Sequence, residues 1–179
     1  MSTQVSRAIA LVVTLGVLAA CSQGASNPPG ERASAAAAAP TPVTANSNTW
    51  IANGATACEK YLTPDVVAAI LTHPSGQSKK LSTQACAYST ADFGGTISIT
   101  LMQVGTAGLD MDLKNLPDPV PLSGVGDKAV RTMLGIEAAK GNDRMCSIDA
   151  GGAPGSTKLK GEALAQKLGE ICNNLFALP

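Results

Sequence analysis

Five cysteines are the side chains of this 179-residue sequence with the widest range of chemistry. They are Cys21, Cys58, Cys86, Cys146 and Cys172. Cysteines in a short chain either bind a metal or form disulfides in an exported protein. The sequence has no CxxC pair and a single histidine, which makes zinc the weaker interpretation. We therefore expect neither a metal site nor a cofactor.

Catalysis that needs a histidine depends on His73 alone. This residue precedes Pro74 in a predicted loop, and the chain has no GxSxG nucleophile turn. The stretch GGAPGSTK, Gly151 to Lys158, lacks the lysine that directly follows the last glycine of a phosphate loop. We interpret His73 as a solvated loop residue and GGAPGSTK as a flexible link into the last helix.

Carboxylates leave one enzymatic hypothesis open. Asp110, Asp112 and Asn115 have the oxygen atoms that calcium prefers, but the other acidic and glycine positions of a calcium loop are missing. Paired acids drawn from Asp110, Asp112 or Glu137 could serve a cell-wall hydrolase or another extracytoplasmic enzyme, because such pairs need no histidine. The sequence does not establish this pairing, so a non-enzymatic domain with no catalytic residues is the leading prediction.

Composition argues against nucleic acid as a partner. Thirteen basic and thirteen acidic side chains give a formal net charge of zero. We find no cluster of Lys and Arg that could displace counterions from a phosphate backbone. Aromatic residues make up 3% of the chain, which disfavours a surface for stacking bases.

The first 20 residues have the layout of a signal peptide. Residues 1–7 carry the amino terminus and Arg7, and Ala8 to Ala20 contains no charged side chain. The apolar part is about a dozen residues long, whereas a helix needs ~20 residues to cross ~30 Å of hydrocarbon. The pattern therefore predicts a cleaved signal peptide rather than a permanent transmembrane helix.

Leu18-Ala19-Ala20-Cys21 resembles the bacterial lipobox. The resemblance implies that Cys21 receives a diacylglyceryl group, becomes the first residue of the mature protein, and is then acylated, for example with palmitate. Several acyl chains on one residue give stable membrane anchoring outside the cytoplasm. In Gram-negative lipoproteins an Asp after the acylated Cys commonly signals retention at the inner membrane. Here that position is Ser22, which resembles the default class. If the source is Gram-negative, the resemblance implies an outer-membrane lipoprotein that faces the periplasm.

Residues 21–54 combine the acylated Cys21 with a predicted flexible tether. From Ser22 to about Gly54 the chain is rich in Ala, Ser and Pro and has few large apolar side chains that could offset the entropy of ordering. We expect Trp50 and Ile51 to belong already to the folded domain, since an isolated Trp in a tether has nothing to pack against. A single domain is predicted over residues 55–179.

Local signals predict two helices and about five strands in that domain. Thr63 as N-cap and Pro64 at the first position predict a helix that ends near Leu71. Apolar residues that alternate with polar ones predict strands, and an apolar stripe predicts the last helix. The predicted strands are Ala85 to Thr90, Thr96 to Val104, Lys128 to Leu134, Ile136 to Ala139 and Met145 to Ile148, and the last helix runs from about Gly161 to Ala177. The fold class is α+β, with an antiparallel sheet and both helices on one face.

The stretches CEKYLTPDVVAAIL, CAYS and LSGVGDKAV resemble small actinobacterial lipoproteins catalogued as a domain of unknown function. The resemblance covers about Cys58 to Leu178. It implies export and a similar fold, and it supplies no catalytic residues.

Four cysteines remain once Cys21 is acylated, and three pairings are possible. We favour Cys58–Cys86 and Cys146–Cys172, because each joins sequential elements that should be neighbours in space. The combined prediction is a lipid-anchored envelope protein whose non-enzymatic domain binds a partner protein or a small ligand.

Overall fold

The structure, a computed structural model, describes residues 49–179. The predicted signal peptide, the predicted lipid-attachment residue Cys21 and residues 22–48 of the predicted tether lie outside the described residues.

Within residues 49–179, seven strands form one antiparallel sheet in the order β1-β2-β3-β7-β6-β5-β4. The strands β3 and β7 lie in its middle, and β1 and β4 form its edges. The strands are β1 Gly76–Lys80, β2 Ala85–Thr90, β3 Gly95–Met102, β4 Val120–Pro121, β5 Lys128–Arg131, β6 Gly135–Lys140 and β7 Arg144–Gly152.

Five α-helices and one 3-10 turn accompany the sheet in the described part of the chain. They are α1 Thr49–Ala52, the 3-10 turn Asn53–Ala55, α2 Ala57–Tyr61, α3 Pro64–Ile70, α4 Thr106–Asp112 and α5 Gly161–Phe176. The start of α3 is confirmed in detail, since Pro64 is its first residue and the Thr63 hydroxyl accepts a hydrogen bond from the Val66 N–H at 3.5 Å.

The main core lies between one face of the sheet and the helices α1, α2, α3 and α5. Strand alternation directs Ile99 of β3 and Ile148 of β7 to this face, where they are paired neighbours. The helix α5 packs on β6 and β7 and buries Leu168 and Leu175 completely. The apolar stripe predicted for the last helix is therefore its core-facing side.

The helix α4 covers part of the opposite face. Its Leu109 is fully buried in a second cluster with Val130, Ala139 and Met145. Met145 and its neighbour Cys146 point to opposite faces of β7, so the two clusters lie on opposite sides of the sheet.

The expectation of about five strands with helices on one face only is corrected in both respects. All five residues of β1 are exposed, so this strand has no apolar alternation to recognise. The strand β4 has two residues, one of them Pro121. The helix α4 has seven residues and lies between about Gly105 and Asp127, where the Pro- and Gly-rich sequence predicts a long connection without a helix. Packing of Leu109 rather than intrinsic helix propensity stabilises it.

Trp50 fixes the start of the packed region. It is buried, its indole N–H donates to the Met102 carbonyl at 3.3 Å, and its ring stacks on Phe176 with centroids 5.6 Å apart. The Arg144 guanidinium lies 5.3 Å from the indole centroid. Packed structure therefore already includes residues 49–54, the last part of the segment assigned to the tether.

Candidate functional site

Two disulfides join the pairs favoured from the sequence, which confirms both of those pairings. Cys58 and Cys86 connect α2 to β2, with Cα atoms 6.0 Å apart. Cys146 and Cys172 connect β7 to α5, with Cα atoms 5.9 Å apart. All four side chains are buried in the main core.

The surface beside the edge strand β4 carries two concave regions. We name the first the edge cavity, a space of about 340 Å³ between β4, β5 and the start of α5. Its lining includes Arg131, Asp118, Val120, Met133 and Leu164. Val120 and Arg131 are paired across β4 and β5, which brings their side chains to the α5 side of the sheet.

We name the second region the connection groove. It is formed by Leu113 and residues 119–130 except Val120, and encloses about 600 Å³. Leu122 and Val125 anchor its floor because both are buried in the main core. The connection predicted between the sheet segments is thus a shaped surface with fixed apolar contacts.

His73 lines a third cavity, of about 220 Å³, together with Asp92 and Ser156. Among the described residues no hydrogen bond joins His73 to either of them. One Asp92 carboxylate oxygen instead accepts bonds from the Thr90 hydroxyl and the Gly94 N–H, which lower the pKa of Asp92. A fourth concave surface, about 390 Å³, lies beside β1 and Phe93.

The structure brings two of the acids singled out from the sequence within electrostatic reach of each other, since the charge of Asp112 contributes to the raised pKa of Glu137. Asp110 is paired with Lys128, and Asp112 is the last residue of α4. Asn115 is exposed after that helix. Residues 49–179 contain no cluster of three or more His, Cys, Asp or Glu side chains with the geometry of a metal site.

Glu137 and Asp149 are the acids with raised pKa values, and sequence reasoning missed Asp149. Desolvation by burial, followed by the charges of Asp112 and Asp149, raises the pKa of Glu137. Burial alone raises the pKa of Asp149. Glu137 is the cross-strand partner of Ser147, and Asp149 stands two residues farther along β7, so both acids share the α4 side of the sheet.

The stretch GGAPGSTK is fastened to the end of α3 and does not form a free link. A bridge pairs Leu71 with Thr157, and the Lys158 N–H donates to the Ile70 carbonyl at 2.8 Å. The Thr72 hydroxyl donates to the Gly155 carbonyl at 2.7 Å. These tertiary hydrogen bonds, which sequence cannot reveal, correct the expectation of flexibility.

Comparisons with protein-family models, curated proteins and solved structures found no match to this chain. Among residues 49–179, no helix combines the length and the apolar character needed to span a membrane.

Proposed function

We propose that this protein is a lipid-anchored envelope protein whose domain binds a small ligand or a partner protein outside the cytoplasm, without catalysing a reaction. The observation that carries the proposal is the pair of buried disulfides, Cys58–Cys86 and Cys146–Cys172. Disulfides of this structural kind persist in oxidising compartments and are rare in the cytosol. Together with the lipobox-like residues before Cys21, they support export followed by anchoring.

The surfaces beside β4 support binding. The connection groove and the edge cavity both lie next to this strand, and each combines apolar side chains with two charged ones. Ligand sites are typically concave and mostly apolar, with a small number of placed polar groups. Leu122 and Val125 are held in the core, so the groove exists before a ligand arrives, which lowers the ordering cost of binding.

Anchoring is tested by metabolic labelling with a fatty-acid analogue. Cys21→Ser is expected to abolish incorporation and to release the protein from membranes, because its thiol is the proposed attachment atom. Ser22→Ala is the matched control and is expected to keep the label. Unchanged incorporation in Cys21→Ser would refute the anchor.

Binding is tested by placing a photoreactive residue in the connection groove of the intact protein in its envelope. The exposed Ser123 lines the groove, and the exposed Ser78 lies on the opposite edge strand as the control position. We expect a discrete adduct from position 123 and none from position 78. Equal adducts from both positions, or none from either, would contradict binding through the groove.

A hydrolase that uses carboxylates is the second candidate function. The observation in its favour is the raised pKa of Glu137 and of Asp149, since a general acid must hold a proton near neutral pH. Purified mature protein would then release soluble fragments from peptidoglycan, and Glu137→Gln would abolish the release. An equal rate in Glu137→Gln would remove this candidate.

A further inference from the structure

The edge cavity holds two opposite charges that no described residue neutralises. Arg131 and Asp118 both line it. The ion pairs in the described part of the chain join Lys128 to Asp110 and Lys167 to Glu170, and neither involves the cavity. No hydrogen bond from residues 49–179 engages the side chain of Arg131 or Asp118 either. A ligand entering the cavity therefore meets a cation and an anion that are both available.

Asp118 lines the cavity with a constrained backbone. It stands between Pro117 and Pro119 and adopts a left-handed backbone with φ of 45°. The rings of the flanking prolines restrict its backbone, and a non-glycine residue in this region is conformationally strained. Strain of this kind clusters at ligand clamps and switches. The backbone that carries the Asp118 carboxylate is therefore restricted before binding, which lowers the entropic cost of an interaction with it.

Gly161 leaves room for the Arg131 guanidinium. A Cβ atom built on Gly161 would lie 3.2 Å from Arg131 Nη1, and the φ of Gly161 is 57°, in the left-handed region that favours glycine. The Arg131 side chain thus reaches across from β5 to the start of α5. Its planar fork of N–H donors matches a carboxylate, which it binds in a bidentate manner.

Apolar side chains complete the wall of the cavity. Leu164 of α5 is half-buried there, while Val120 is 43% exposed and Met133 is 83% exposed at its rim. Solvent contact of these two side chains would be reduced by an apolar group placed between them. Met133 is unbranched and adapts its shape to such a group.

We propose that the edge cavity binds a free α-amino acid with an apolar side chain, with its carboxylate on Arg131, its ammonium group on Asp118 and its side chain on the apolar wall. A simple anion would leave Asp118 uncompensated, and a simple cation would leave Arg131 uncompensated. A zwitterion satisfies both charges. The volume of about 340 Å³ lies at the lower end of the range for small-molecule sites, as a ligand of this size requires.

This inference rests on the proposed binding function and names its ligand class. The test is titration calorimetry of the acylated full-length mature protein in detergent with L-phenylalanine, its amide and its N-acetyl derivative. The amide lacks the carboxylate and the N-acetyl derivative lacks the ammonium charge. We expect the affinity for each analogue to be at least about tenfold lower than that for L-phenylalanine, because each analogue loses a charge-assisted hydrogen bond.

Two variants assign each end of the ligand. In Arg131→Gln the affinity for L-phenylalanine should fall to that of the amide in the wild type, while the affinity for the amide itself should change little. In Asp118→Asn the affinity for L-phenylalanine should fall to that of the N-acetyl derivative in the wild type, while the affinity for the N-acetyl derivative itself should change little. Lys140→Gln is the control and should leave all three affinities unchanged. It removes an exposed charge at the last residue of β6, whereas the first residue of that strand, Gly135, lines the cavity.

Hydrogen exchange of the wild-type protein gives a readout that does not depend on a variant folding correctly. L-Phenylalanine should slow exchange in the first turn of α5, near Gly161 and Leu164, and leave β1 unaffected. Equal binding of the three compounds, absence of binding, or unchanged affinity in both variants would overturn the proposal. Any of these results together with an adduct from position 123 would refute the ligand class of the edge cavity alone, whereas the same results with no adduct from that position would also refute the proposed binding function.

Discussion

Removal of the Cys146–Cys172 disulfide is expected to destabilise the protein and to loosen α5 selectively. The perturbation is replacement of both cysteines with Ala. The bond closes a sequence separation of 26 residues, for which the chain-entropy relation gives about 3.5 kcal/mol at 25 °C. Domain stabilities are typically about 5–15 kcal/mol, so the variant should remain folded with a much smaller margin.

The other disulfide provides a matched control. Cys58–Cys86 closes a separation of 28 residues, so its removal should cost nearly the same, about 3.6 kcal/mol. The two double variants should therefore have similar urea midpoints but different local behaviour. The Cys146 and Cys172 variant frees α5 from β7, whereas the Cys58 and Cys86 variant frees α2 from β2.

The assay combines urea unfolding with amide hydrogen exchange. Loss of the C-terminal bond should accelerate exchange in α5 by at least about tenfold and leave α3 comparatively protected, because only α5 loses its covalent contact. A cost below about 1 kcal/mol would contradict the entropic account of the bond. Equal acceleration in α3 and α5 would show that the disulfide does not act locally on the last helix.

Three further perturbations have defined outcomes. Thr63→Ala should lower the free energy of unfolding by about 1 kcal/mol, because the first turn of α3 loses its N-cap, and Thr63→Ser should keep the wild-type value. A Thr63→Ala variant as stable as the wild type would show that the cap does not contribute to stability. Glu137 has a raised pKa in the folded state, so the native protein binds its proton more tightly than the unfolded chain. The free energy of unfolding should fall as pH rises from about 4.5, the usual pKa of a Glu side chain, through the pKa of Glu137 in the folded protein. Urea titrations at several pH values should show a smaller fall for Glu137→Gln, and an equal fall in both proteins would contradict the prediction. Limited proteolysis of mature protein should cut first within residues 22–48 and leave a core that retains Trp50, whereas first cuts within α3 would argue against a tether.

Several elements could be predicted because their signals are local. The helix α3 begins where Thr63 and Pro64 place it, since a cap and a fixed φ act within one turn. The strand β3 follows from alternation of Ile97, Ile99 and Leu101 with polar residues. The helix α5 follows from an apolar stripe with helical spacing.

Other elements depend on partners that are distant in sequence. The strand β1 exists because it pairs with β2, and its five exposed residues have no pattern of their own. The helix α4 depends on burial of Leu109 beneath β6 and β7, since seven residues are too few for a stable isolated helix. Propensity cannot reveal contacts of this kind because their energy arises only after the sheet has formed.

The candidate site also combines features that are local in sequence with features that depend on distant partners. The sequence by itself determined which cysteines were available for pairing and that Asp118 stands between two prolines. Only the tertiary structure brought Asp118 and Arg131 to one cavity, through the pairing of β4 with β5 and the packing of α5. It also paired Asp110 with Lys128 and brought the charge of Asp112 within reach of Glu137. Side-chain identity is local, whereas the proximity of charges is decided by strand register and helix packing.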